Sequence, residues 1–250
     1  MLTLPLMVGL GLTVLMTSFL SGLFGMAGGM VLMGLLLLLL PVPSAMLLHG
    51  ITQFTSNGWR AWLWRRHVDW GIIGRFAAGA AVAGAGFSLL GAVPDRATSL
   101  LILGLTPFMA LAVPRRWALD ATKPPHALLA GFLCMGIQLL AGISGPLLDV
   151  FFVRSGMTRQ GVVATKAMTQ VFGHAVKVAY FAPMVAGSSG ETVEAAVILL
   201  SVGMALLGTN LSRRVLDRMS DAQFRRWTRY LVMGTASVYL SQGLFLLASH

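Results

Sequence analysis

Residues 49–60 read His49-Gly50-Ile51-Thr52-Gln53-Phe54-Thr55-Ser56-Asn57-Gly58-Trp59-Arg60, and the row His49, Gln53, Asn57, Arg60 runs through an otherwise apolar segment. The spacing, i, i+4, i+8, i+11, places all four within an arc of about 80° on one helix face. Lys166, Gln170, His174 and Lys177 repeat it, each 117 positions after its counterpart. Carried backwards, the same offset pairs Gly25-Met26-Ala27-Gly28-Gly29 with Gly142-Ile143-Ser144-Gly145-Pro146. A glycine-rich break therefore precedes each polar helix at the same distance.

Composition sets the solvent. Of 250 residues, 56% are hydrophobic and 10% charged, with a mean hydropathy of +0.80. A soluble domain carries about 25% charged residues, so soluble and disordered classes are excluded. Several apolar runs reach the roughly 20 residues that a helix needs to cross a bilayer. The stretch from Met1 to Phe19 lacks a basic start and reads as a span, not a signal peptide. Cys134 is the one cysteine and lies in an apolar run, where packing is its expected role. The net charge of +10 has its explanation in cytoplasmic loops rather than in nucleic acid.

The expected organisation is two transmembrane repeats, 1–113 and 125–250, joined by a cytoplasmic linker, 114–124. In the first, a span at 3–23 leads through Gly25, Gly28 and Gly29 to a short run at 30–40, the polar helix at 44–64, and spans at 70–91 and 96–113. The second repeats the order, with a span at 126–142, a break at Gly142–Pro146 and a short run at 147–153. The polar helix at 160–183, a loop at Gly187–Gly190 and spans at 191–211 and 223–247 follow. That makes an all-α polytopic membrane protein with eight long transmembrane helices and two short broken or re-entrant segments.

An odd number of segments per half turns the second repeat upside down. With both termini outside the cell, the cytoplasmic side receives Arg65, Arg66, Arg75, Arg115, Arg116, Lys123, Arg154, Arg159, Arg213, Arg214, Arg218, Arg225, Arg226 and Arg229, while the outside receives only Arg96. The positive-inside rule favours this orientation. All six tryptophans fall near the same cytoplasmic face.

The residue types point to an anion. A break frees backbone amides inside the membrane, which survives only where protein or a cavity surrounds it. A helix that starts after the break aims its positive end at the gap. Inverted-repeat transporters use such starts at the midplane. The candidate substrate-binding residues are Gly25, Gly28, Gly29, His49, Thr52, Gln53, Asn57 and Arg60 in the first half. In the second they are Gly142, Ser144, Gly145, Lys166, Gln170, His174 and Lys177. Neither polar row contains a carboxylate. The competing readings are structural. The glycines permit close helix packing, Gln53 and Gln170 join helices by hydrogen bonds, and Arg60 and Lys166 snorkel to the cytoplasmic surface. Lys177 resists that reading, because it lies toward the outer end of its helix. Asp149 is the acidic residue deep in an apolar run. It either pairs with Lys166 or Arg154 or couples protons, a role also open to His49 and His174.

The pattern resembles the TauE/SafE family of sulfite and organosulfonate exporters. The resemblance rests on Gly25-Met26-Ala27-Gly28-Gly29, the striped helix after it, its basic end Arg65-Arg66-His67-Val68-Asp69-Trp70, and the altered second copy from Gly142 onward. Two features depart from the family pattern: Gly-Ile-Ser-Gly-Pro replaces a richer glycine break, and His49 and Lys166 stand where small or hydroxyl residues are common. The resemblance implies a multi-pass transporter in a bacterial inner membrane, moving a small anionic sulfur compound outward. An importer or channel for the same anions shares the same binding residues. A remote enzyme reading takes Gly142-Ile143-Ser144-Gly145 as the motif of an intramembrane serine protease with His174 as base. Apart from that remote reading no pattern calls for a catalytic residue, metal or cofactor, and no Gly-x-x-x-x-Gly-Lys motif is present, so no ATP hydrolysis is expected. The expected partners are the anion and the lipid bilayer, with no nucleic acid. A homodimer is admitted, but no residue pattern calls for one.

Overall fold

The computed structural model describes residues 4–187, 193–216 and 219–249. Among them are ten α-helices: α1 (Leu4–Phe24), α2 (Met26–Leu39), α3 (Val42–Leu63), α4 (Trp70–Leu90), α5 (Arg96–Ala112), α6 (Pro124–Ala141), α7 (Gly145–Phe152), α8 (Arg159–Gly187), α9 (Ala195–Leu216) and α10 (Asp221–Ala248). Eight have 17 residues or more, and α2 and α7 have 14 and 8. Five, α1, α4, α6, α9 and α10, are long and apolar enough to cross a membrane. The polar-striped α3 and α8 are long but fall outside that set. Positions 188–190 of the expected loop, and Arg218, lie outside the described residues.

Local chemistry sets the boundaries. Asp69 caps α4 by accepting from Ile72 N at 3.0 Å, and Asp95 caps α5 by accepting from Thr98 N at 2.8 Å. Ser220 and Gln223 form a capping box at α10. Pro43, Pro124 and Pro146 sit in first turns, where the missing N–H has no partner to lose.

The first break differs from its sequence-based outline. The short helix begins at Met26, four residues before the expected run at 30–40, and Gly28 and Gly29 belong to its first turn. Gly25 alone makes the break, at φ 67°. Gly28 has a different task. A Cβ there would collide with the Thr17 carbonyl oxygen and the Ser21 amide nitrogen of α1, so α2 doubles back along α1 at backbone contact.

At its far end, Leu40 O accepts from Arg96 Nη2 at 3.2 Å, at the turn between α4 and α5. The second break is Gly142, at φ 81°. Past it α7 doubles back too, and Phe151 O accepts from Ala121 N at 2.8 Å, just before α6 begins. Both short helices thus return the chain toward the face from which the long helix before them set out.

The long helices pack in pairs through small residues. A Cβ at Gly79 of α4 would meet the Leu128 carbonyl of α6, and one at Gly131 of α6 would meet the Phe76 carbonyl of α4. Gly208 does the same between α9 and α1, and Gly104 between α5 and α10. Such contacts let backbones approach as membrane helix pairs do. At the centre α3 and α8 run antiparallel. Gly50 lies under Lys177 and Val178, Gly58 beside Val171, and Asp69 N donates to Thr165 Oγ1 at 3.0 Å.

Candidate functional site

The two polar rows meet where α3 and α8 cross. Lys177 is fully buried, and its Nζ donates to His49 Nδ1 at 2.8 Å and to Gly142 O at 2.9 Å. Burying an ammonium is costly unless hydrogen bonds replace its water. Here an imidazole and a helix-terminal carbonyl do so, with no carboxylate among the described partners. His49 Nε2 lies 3.0 Å from Gly29 O. A carbonyl only accepts, so Nε2 carries the hydrogen and Nδ1 receives the lysine. This chain of bonds ties the start of α2, the middle of α3, α8 and the end of α6 together.

His174 joins on the other side. Its ring meets that of His49 edge-on, 5.5 Å between centroids. Ser144 Oγ donates to Gln138 Oε1 at 2.8 Å, which leaves the Gln138 amide to approach His174 Nδ1 at 3.4 Å. All three are buried. The arrangement answers the protease reading in geometric terms: Gln138 stands between Ser144 and His174, and the serine gives its proton to an amide oxygen, not to the imidazole.

The two breaks also converge. A Cβ on Gly145, the first residue of α7, would lie 2.8 Å from Met26 Cβ, the first residue of α2. Gly142 lies under the Met33 and Met46 sulfurs. The starts of both short helices therefore share one junction, and no side chain caps either start. Uncapped first-turn amides and a positive helix end favour an anion.

The remaining sequence-picked residues divide. Thr52 and Asn57 are buried but bond back into their own helix, Thr52 Oγ1 to Leu48 O and Asn57 Nδ2 to Gln53 O. Gln53 Nε2 and Arg60 Nε are buried atoms without a hydrogen-bond partner. Lys166 pairs with Asp149, both side chains being partly exposed, so its charge is answered locally. Gln170 is half-buried. Sequence reading missed Gln138 and the seam between α3 and α9, where Ser56 Oγ and Thr209 Oγ1 lie 2.8 Å apart and Trp59 Nε1 donates to Asn210 Oδ1 at 3.0 Å. One signal was present for Gln138. It is a polar residue four positions before its break, as Ser21 is before Gly25, and the offset of 117 joins the two.

A helical membrane protein whose buried centre is a knot of hydrogen bonds, reached by two folded-back helices, has the layout of a polytopic transporter. The family model described as sulfite exporter TauE/SafE matches residues 10–239. The chain belongs to that family, whose members are membrane transporters and not enzymes. Comparison with curated proteins and with solved structures yields no match.

Proposed function

We propose that this chain exports sulfite, sulfoacetate or a related organosulfonate by alternating access, with the anion taken between the two short helices and the two polar-striped helices. Lys177 carries the reading: a fully buried cation held by an imidazole and a carbonyl is a charge kept for a passenger. A pairing with a carboxylate would have neutralised it.

The mechanism is one of two inverted halves, 1–113 and 125–250, moving about the shared site. Exchanging α1–α5 with α6–α10 in order leaves the helix pairs the same. The pair α1 with α9 becomes α6 with α4, and α3 with α8 and α5 with α10 map onto themselves. The antiparallel run of α3 against α8 agrees with an axis in the membrane plane. Eight long helices span, the linker 114–124 is cytoplasmic, and both termini lie outside. In the present conformation His49 and Lys177 are sealed, as an occluded state requires.

His49 and His174 are the candidates for proton coupling. A proton on His49 Nδ1 would set N–H against N–H and break the Lys177 contact, freeing the ammonium for the anion. Asp149, paired with Lys166, is the weaker candidate.

Thermal unfolding of purified protein with sulfite, sulfoacetate, sulfolactate, thiosulfate and sulfate tests the reading. A ligand at 100 times its Kd adds about 2.7 kcal/mol. Arg60→Ala and Lys177→Ala should weaken binding, while Arg213→Ala, on the exposed end of α9, should not. Undiminished binding in all three variants refutes the site.

A further inference from the structure

We propose that the two helix starts are unequal: the anion is taken at the start of α2, with Gln53 Nε2 as a direct donor, while the glutamine beside the start of α7, Gln138, is already satisfied within the chain. This rests on the function proposed above and names the end of the junction that binds.

At α2, Gln53 is 5% exposed and its Nε2 has no partner. The side chain lies over the first turn of α2: from a Cβ built on Gly29, Oε1 would be 3.2 Å and Nε2 3.5 Å away. Gly29 O is already taken by His49, so it is not an acceptor for Nε2, and no side chain caps the start of α2 beside it. A buried donor left unpaired is costly, and an anion would remove that cost.

At the α7 end no side chain caps the helix start either, but the polar side chains beside it are all engaged. Gln138 is 2% exposed and uses both ends of its amide, on Ser144 Oγ and His174 Nδ1. Lys177 holds Gly142 O, and the Met33 and Met46 sulfurs lie on Gly142. The residue at the matching place in the first half is Ser21, too short to fill its end in the same way. Gln138 thus has its partners within the chain, whereas Gln53 Nε2 is left for a ligand to satisfy.

The test measures sulfite and sulfoacetate binding to the full-length purified protein and its variants by titration calorimetry, with thermal unfolding as a check on folding. Gln53→Leu should raise Kd about tenfold or more, the scale of a lost hydrogen bond to a charged group. Gln53→Glu, of the same shape but negative, should abolish binding. Gln138→Leu keeps that place filled and should lower the unfolding temperature, and should raise Kd less than Gln53→Leu does. Should Gln53→Leu fail to fold, Gln53→Asn withdraws the donor without removing it and should also weaken binding. Equal losses at positions 53 and 138, or Gln53→Glu binding as the wild type does, overturns the assignment. A wild-type protein that binds no sulfur anion overturns the transporter reading instead, so the two failures are distinguishable.

Discussion

At the scale of single residues, Lys177 is the costliest choice in the chain. A cation at mid-membrane carries a penalty of roughly 2.5–3.5 kcal/mol on insertion scales, and here it is offset by bonds to His49 and Gly142. Lys177→Met should therefore leave a folded protein whose sulfite Kd rises more than tenfold, read by calorimetry beside thermal unfolding. Asp149→Asn should behave in the opposite sense. Its ion pair with Lys166 is partly exposed, and such pairs contribute about 0–1 kcal/mol, so unfolding should shift little. The sequence marked Lys177 as the lysine of its row least able to snorkel inwards, and left Asp149 between a pair with Lys166 or Arg154 and proton coupling; the pair formed is with Lys166. It could not show that Lys177 reaches across to His49, because that contact depends on the register between α3 and α8, set by Gly50 and Gly58. Gln138 escaped notice for a related reason: a lone glutamine in an apolar helix gains meaning only when the break beyond it folds back.

At the scale of elements, glycines and caps fix how helices meet. Gly131 touches the Phe76 carbonyl region of α4, with no room for a methyl group. Gly131→Ala should cost about 1–3 kcal/mol by overpacking, whereas Gly234→Ala, in open space, should be neutral or mildly stabilising by helix propensity. Denaturation of both variants in detergent gives the comparison. The cap at α5 adds a pH test. Thr98 donates its amide and its hydroxyl to Asp95, which holds that carboxyl below its ordinary value of 3.8.

A depressed folded value means the cap contributes fully above pH 3.8 and is lost as pH falls through the lower, folded value. Asp95→Ala should cost about 1 kcal/mol near neutrality, and the two unfolding curves should converge in acid. Positive φ at Gly25 and Gly142 agrees with the breaks the sequence placed there. At Gly28 the packing alternative describes the contact with α1, since a glycine at a break and a glycine under a neighbouring helix look alike until the neighbour is known.

At the scale of the whole molecule, the charge asymmetry and the tryptophans predict an orientation. Trp62, Trp64, Trp70, Trp117 and Trp227 are exposed, and Arg65 lies 4.4 Å over the Trp62 ring. They flank the basic loops, which the positive-inside rule assigns to the cytoplasm. A reporter active only outside the cytoplasm, fused after His250, should be active, and one placed in the 114–124 linker should be silent. The reverse result would turn the molecule over. The polar stripes that build the site also govern how the protein is made. During synthesis α3 leaves the ribosome long before α8, which carries the Lys177 and His174 that meet His49. A nascent chain cut after α5 leaves His49 without those partners inside the membrane, so it should be degraded faster in the cell than the whole chain.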